Sequence, residues 1–372
     1  MAKRDKPPYR ADHVGSLLRP RKLLDARDEF AADRISAGDL REIEDEAIRE
    51  VVKMQEDVGL QSATDGEFRR ASWHMDFIYR LGGISKAHDN LKVEFRNPEG
   101  TIEFTPASLH VDERVRLEEP IFADDFRFLQ SAVSRNTPKL TIPSPSMVHY
   151  RGGAAALDPS VYTDPADFWA DLTTAYSDQV RAMADIGCTY LQFDDTSLAY
   201  LNDPNQRAMM AERGEDAEHL HEQYIRHINE ALESRPEGMA ITTHMCRGNF
   251  RSSWVAEGGY DFVAEALFNE LDVDGFFLEY DDARSGGFEP LRFVPDGKMV
   301  VLGLVTTKRG ELESADELKR RIFEASKHVD INQLCLSPQC GFSSTVEGNV
   351  LSYDEEVEKL RLIVEVAEDV WG

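Results

Sequence analysis

The sequence predicts an α/β fold, and within that class a (β/α)8 TIM barrel with a β-hairpin-containing insertion after its second strand. Three observations predict it. Eight short, apolar, β-branched stretches are separated, for the most part, by segments with helical periodicity. One barrel of this kind needs about 250 residues or more, and 372 are present. Polar and sulfur-bearing residues collect at the C-terminal ends of the stretches, the working rim of such barrels. The competing open, doubly wound sheet would place a glycine-rich turn after its first strand, and none is found there.

The elements follow in order. The first strand, Ala11–Ser16, ends in His13-Val-Gly-Ser16. A helix over Leu40–Val58 follows, because Ile43, Ala47, Val51, Met54 and Val58 recur at spacings of three or four. The second strand, Leu60–Asp65, ends in Asp65-Gly-Glu67. Residues 82–138 then break the rhythm. Within them Leu91–Phe95, Arg96–Gly100 and Thr101–Phe104 read as strand, turn and strand of a hairpin that covers one rim.

The third strand is Leu140–Ser144. Asp164 caps the next helix and Pro165 occupies its first turn, with the end near Ile186. The fourth strand, Tyr190–Asp194, leads into Asp194-Asp195 and is followed by a helix over Ala217–Leu232. The fifth, Ala240–Met245, ends in Thr243-His244-Met245-Cys246, with a helix over Arg251–Leu271 behind it. The sixth, Gly275–Tyr280, ends in Glu279-Tyr280-Asp281, and Gly287–Pro295 is a short irregular connection. The seventh is Met299–Val305. Ser314 with Glu317 is a capping-box pattern that opens a helix to Val329. The eighth, Gln333–Ser337, runs into Cys340-Gly341, and Tyr353–Val370 is the closing helix. Residues 1–372 are taken as a single unit.

Composition narrows the function. A formal net charge of −27 disfavours nucleic acid and anionic membranes as partners, since both need a basic surface. No run of apolar residues is long enough to span a bilayer. The first residues, Met-Ala-Lys-Arg-Asp-Lys, lead into no apolar stretch, so a cytoplasmic location is expected. Four cysteines are too few for a disulfide scaffold in so long a chain, so each needs a packing or metal explanation. Small-molecule substrates are expected, and a homo-oligomer is compatible with the sequence.

His244 and Cys246 are two apart on a predicted strand, and i and i+2 point to the same side. His-x-Cys alone has little specificity, and one buried cysteine is most often inert packing. Weight comes from Cys340 and Glu279, which also end predicted strands. Two thiolates, an imidazole and a carboxylate about a tetrahedral centre point to zinc. Cys188 and Cys335 sit at the starting ends of their strands and are assigned to packing.

The ligand charges suggest what such zinc is for. Two thiolates and a carboxylate outweigh the dication, so the centre is a poor activator of water. It can exchange its weakest ligand, the oxygen of Glu279, for a substrate sulfur and hold that sulfur in its reactive form. The natural reaction is transfer of an alkyl group to a small-molecule thiol.

The pieces His13-Val-Gly-Ser16, Asp65-Gly-Glu67, Leu191-Gln-Phe-Asp194-Asp195, Thr243-His244-Met245-Cys246, Phe277-Leu-Glu279 and Ser337-Pro-Gln-Cys340-Gly341 span almost the whole chain. Together they resemble the catalytic half of cobalamin-independent methionine synthase, in the plan of the short single-barrel members. The resemblance implies zinc on His244, Cys246, Glu279 and Cys340, and homocysteine as the thiol. It also implies Ser16 on the substrate carboxylate, with Glu67 and Asp194 on its ammonium. Paired carboxylates favour a cation on physical grounds too, although Arg19, Arg69 or Arg70 could instead neutralise them as a structural pair.

Three departures from the family stand out. There is no room for the additional N-terminal barrel of full-length members. The loop after the seventh strand reads Thr306-Thr-Lys308-Arg-Gly310 and lacks the family's proton-shuttling His, so that catalytic role is vacant or belongs to Lys308, with Asp194 as the other catalytic candidate. Asp195-Thr196 stands where the family has Glu-Pro. Trp73, His149 and Tyr150 are candidates to stack on a flat methyl donor, with His74 and Phe77 nearby. A folate donor would need a local basic patch from Arg69-Arg70, Arg151 or Lys308-Arg309.

Alternatives stay open at this level. One is transfer to coenzyme M in the manner of epoxyalkane:coenzyme M transferase. Another is a methylcobalamin-dependent thiol alkyltransferase. A third is a decarboxylase or lyase on the same barrel, with Asp194 and Asp195 as its acid–base pair. A non-catalytic barrel with structural zinc is the fourth.

Overall fold

The computed structural model describes residues 4–87, 93–97, 100–104 and 108–372. The strands are β1 (Ser62–Ala63), β2 (Leu81–Ala87), β3 (Val93–Asn97), β4 (Gly100–Phe104), β5 (Ser108–Leu117), β6 (Thr137–Pro138), β7 (Leu140–Pro143), β8 (Tyr190–Asp195), β9 (Ala240–Met245), β10 (Gly275–Glu279), β11 (Met299–Val305) and β12 (Leu334–Pro338). The helices are α1 (Arg21–Ala31), α2 (Ala37–Asp57), α3 (Met75–Ile78), α4 (Ala123–Ala132), α5 (Pro145–Gly152), α6 (Pro165–Asp185), α7 (Ser197–Tyr200), α8 (Pro204–Glu212), α9 (Leu220–Leu232), α10 (Ala264–Glu270), α11 (Ala315–Ala325) and α12 (Tyr353–Trp371).

Strands β7 to β12 form one parallel sheet in sequence order. All of β8, β10, β11 and β12 is buried, as expected of parallel strands covered on both faces. The pairing continues beyond both edges. Beyond β12, Ala11 makes a parallel bridge to Leu336, with Asp12 N donating to Leu336 O (3.0 Å) and Leu336 N to Arg10 O (2.8 Å). Beyond β7, its forerunner β6 pairs in parallel with β1. Segment 10–17 and β1 are joined in turn, as Leu17 N donates to Gly66 O (3.1 Å) and Thr64 Oγ1 to Gly15 O (2.6 Å). The neighbours thus run in an unbroken series that returns to its start.

Caps fix where helices begin. Ser36 and Asp39 form a capping box on α2, and Ser352 and Glu355 form one on α12. Asp164 caps α6 ahead of Pro165, as the sequence indicates. Ser314 accepts from Glu317 N, but the reciprocal half of its box is missing.

Several elements differ from expectation. The first strand is reduced to the bridge at Ala11, and the second to two residues, because the side chains of Asp12 and Thr64 take up His13 N and Gly15 O, backbone groups that a ladder would use. Of the expected helix over Arg251–Leu271 only α10 forms. Arg251 and Ser252 have φ of 47° and 63° and Gly258 has φ of 121°, which no right-handed helix accommodates.

The hairpin is present as β3 paired antiparallel with β4, next to a second antiparallel pair, β2 with β5. Leu91, Lys92, Pro98 and Glu99 lie outside the described residues. Span 82–138 also contains α4, which packs against α2, and β6, so its last part resumes the strand–helix rhythm. Among the described residues no helix is long and apolar enough to cross a membrane.

Candidate metal centre and its cavity

The parallel strands deliver their polar ends to one place. His244 is the penultimate residue of β9 and Cys246 lies just past its end, where Cys246 N donates to Asp195 O (2.8 Å). Glu279 ends β10, and Cys340 follows β12 by two residues. Two glycines allow the close approach. A Cβ at Gly303 would lie 2.6 Å from Gln339 Cα, and one at Gly341 would lie 1.9 Å from Ser16 Oγ.

One ligand atom from each of His244, Cys246, Glu279 and Cys340 lies within 4.8 Å of the others, and all four residues are buried. The two sulfurs are 3.4 Å apart. Tetrahedral zinc with sulfur at about 2.3 Å needs sulfurs about 3.8 Å apart, close to this spacing. Glu279 Oε1 accepts from Arg247 N (3.2 Å), while its buried Oε2 has no partner among the described residues. Paired thiols beside an orphaned carboxylate oxygen suit a zinc ion, and the donor set fits it. His244 Nδ1 meets Asp194 Oδ1 at 3.2 Å and Nε2 lies 3.3 Å from Gln339 O, so with Nδ1 held by the carboxylate Nε2 is the nitrogen that would turn to a metal.

The electrostatics match a cluster built around positive charge. Burial opposes ionisation of Cys340, but hydrogen bonds from Cys246 and His244, with the charge of Lys308, hold it well below the usual thiol range. Burial likewise opposes charge on His244, yet Asp194 and Cys340 raise it to about 10. The hydrogen bond to Cys340, then burial, push Cys246 well up. Cys188 and Cys335 are buried elsewhere and pushed up to about 12, chiefly by burial.

A cavity of about 360 Å³ opens on the cluster. His244, Cys246 and Cys340 border it together with Ser16, Glu67 and Asp194. Glu67 sits in a left-handed turn (φ 59°) after Gly66. Its Oε1 accepts from Thr141 Oγ1 (2.7 Å) and is 3.5 Å from Arg70, while its buried Oε2 has no partner among the described residues. Burial first, and then Asp194, push Glu67 up to about 7 against the pull of Arg70. Arg19 instead holds backbone carbonyls of Glu67 and Arg70, and Arg69 pairs with Asp45.

Trp73 and Tyr150 border the cavity, and His149 does not. Its Nδ1 is 2.9 Å from Tyr224 Oη and its ring packs on Trp169, so it is a packed interior histidine. Lys308 does not border the cavity either. Its ammonium is buried 3.8 Å from Asp281 and its charge acts on Glu279, which makes it a charge partner of the cluster rather than a group at the substrate's side. Asp195 is saturated by Ser144, Ser146, Ser197 and Leu198 N, so it is not poised for acid–base work. Sequence reasoning missed Tyr200, Arg213 and Asn249 as wall residues. Asn249, three residues past Cys246 and donating to Gly341 O (2.8 Å), was within reach of a strand-end argument.

Comparison with known proteins places these features. The catalytic-domain pattern of the cobalamin-independent synthase family matches residues 114–369. The chain is 45% identical to the uncharacterized protein YxjG of Bacillus subtilis over 99% of its length and 96% of that relative's. It is 22% identical to the methionine synthase of Pyrococcus abyssi, over 88% of this chain and 84% of the other. A solved Listeria monocytogenes protein, provisionally named a vitamin-B12-independent methionine synthase, superposes with a TM-score of 0.78 at 40% identity over 98% of both chains.

Proposed function

The chain belongs to the cobalamin-independent methionine synthase family, a family of methyltransferases, and on that premise we infer that it transfers a methyl group to the thiol of homocysteine, giving methionine. The observation that carries this reading is the buried His244, Cys246, Glu279 and Cys340 set opening on a cavity with two carboxylates. The series of strand neighbours is read as a closed (β/α)8 barrel spanning 1–372, with 82–138 as an insertion on its rim.

Each residue has a task. Glu67 and Asp194 receive the substrate ammonium, and the unpartnered Oε2 of Glu67 is the free acceptor for it. Ser16 Oγ serves the carboxylate. Asp194 also fixes the His244 ring through Nδ1. His244, Cys246, Glu279 and Cys340 would hold zinc, and a zinc ion there supplies the Lewis acidity that keeps a substrate thiol ionised near neutral pH. Tyr150 and Trp73 line the donor's approach. The donor is a methyl or alkyl carrier, a folate among the candidates. The residues beside the cluster are carboxylates, so an amino-acid thiol fits better than a sulfonate thiol such as coenzyme M. The saturated Asp195 removes the pair a lyase would use. Free, closely spaced thiols suit a reducing cytoplasm.

The test is direct. Purified protein should hold about one zinc per chain, and Cys246→Ser should lose metal and activity together. X-ray absorption should show an additional sulfur neighbour of the metal when homocysteine is added. Full methyl transfer by metal-free protein would end the reading.

A further inference from the structure

Two of the loops that frame the cavity meet at one buried cation. Arg19, three residues past Ser16, is 7% exposed and does not border the cavity itself. Its Nη2 donates to Glu67 O and Arg70 O, both at 2.9 Å. Its Nη1 donates to Ser343 O (3.1 Å), Ser343 Oγ (2.6 Å) and Thr345 O (3.1 Å). Burial lowers it to about 10, so it keeps its charge at neutral pH. Carbonyls from two loops far apart in sequence thus share one guanidinium, whose planar fork of donors an ammonium cannot reproduce.

Both loops carry parts of the site. The first holds Glu67 in its left-handed turn (φ 59°), a conformation that a residue with a side chain keeps only where its surroundings impose it. Arg27 supports the same turn through Phe68 O and Arg70 O (3.2 Å), and its other partner is Glu44 on α2. Arg19, of these two arginines, also grips the second loop. That loop leaves Cys340 and runs back along the first. Phe342 N donates to Ser16 O (2.9 Å), Trp73 N to Ser344 O (3.2 Å) and Val346 N to Ala71 O (3.2 Å). The Glu67 carboxylate and the Cys340 sulfur therefore stand on two segments that Arg19 ties together, and both border the one cavity.

We propose that Arg19 is a positioning residue that fixes the separation between the Glu67 carboxylate and the Cys340 sulfur, and that it thereby selects the thiol substrate by length. An amino-acid thiol spaced like homocysteine spans that separation, and one a methylene shorter does not. This rests on the cavity's being the seat of methyl transfer to homocysteine. A guanidinium out of the substrate's reach can set specificity in this way, because a shift of about 1 Å in one anchor is enough to misplace a ligand held at both ends.

Calorimetric titration of the zinc-loaded full chain with homocysteine and with cysteine tests it. The wild type should prefer homocysteine by about tenfold or more, the scale of discrimination over one methylene. Arg19→Lys keeps the charge but cannot grip both loops, so the preference should fall to within about threefold of parity while zinc is retained. Arg19→Ala should lose the preference too, and guanidinium ion at millimolar concentration should restore part of it, which a general loss of stability would not allow. An unchanged preference in Arg19→Lys, or a weakening of both thiols by the same factor, would overturn the proposal. Loss of zinc from Arg19→Lys, or its failure to fold, would also overturn it by making the arginine a purely structural residue. A wild type that binds homocysteine no better than cysteine would overturn the homocysteine reading and this proposal with it, whereas a selective wild type beside an equally selective Arg19→Lys would overturn this proposal alone.

Discussion

Glu67 is the side chain whose charge the cavity can least take for granted. Its carboxyl is raised to about 7 by burial and by Asp194, and only the ionised form attracts an ammonium. Homocysteine affinity should therefore weaken as pH falls through 7, because the proton on Glu67 competes with the substrate. Glu67→Gln should raise KM about 10- to 100-fold and flatten that pH dependence, as read from KM measured between pH 6 and 8. A KM that is independent of pH and of this substitution would remove Glu67 from the cradle. Residues of this kind were legible where a strand positions them. His244, Cys246, Glu279 and Cys340 end or closely follow strands, and strand alternation fixes which way such side chains face. Lys308 and His149 lie on a loop and a short helix, where sequence spacing carries no direction. The first turned behind the cluster and the second into the packing around Trp169.

Among the elements, α12 is anchored to the first segment by a carboxyl. Glu356 accepts from Leu18 N (2.9 Å), and burial, opposed by that bond, raises it to about 8. A carboxyl raised above its unfolded value holds a proton in the native state that the unfolded chain has released. The native state is therefore favoured below about pH 4.5 and loses this advantage as pH rises to about 8. Glu356→Gln should be close to neutral at pH 5 and raise stability by a few kcal/mol at pH 8.5, measured by denaturant unfolding at both pH values.

Element boundaries were readable where burial is complete. The limits expected for β9 and β11 are those observed; β11, buried throughout, reads as an unbroken apolar run, while β9 is marked by its β-branched Ile241, Thr242 and Thr243. Residues 251–263 carry enough apolar side chains to imitate a helix, but their course is set by positive φ values and by the bridge from Trp254 to Arg96. A contact between segments so distant in sequence leaves no local signature.

For the whole molecule, a net charge of −27 is a source of self-repulsion. Salt should relieve it. The melting temperature is expected to rise by several degrees between about 20 mM and about 0.5 M sodium chloride, by calorimetry, before any specific ion effect. A melting temperature that falls over this range would mean that attractive pairs outweigh the repulsion. The strand–helix alternation was visible from the sequence at this scale. The place where the series meets itself was not, since Ala11 and Leu336 are joined by a bridge that no periodicity foretells.

That seam sets an order of events in the living cell. Ser16 emerges from the ribosome long before Cys340, yet in the finished molecule Ser16 Oγ rests against Gly341. A nascent chain presents His244, Cys246 and Glu279 before the second sulfur exists, so the four-residue cluster is complete only once Cys340 has been made.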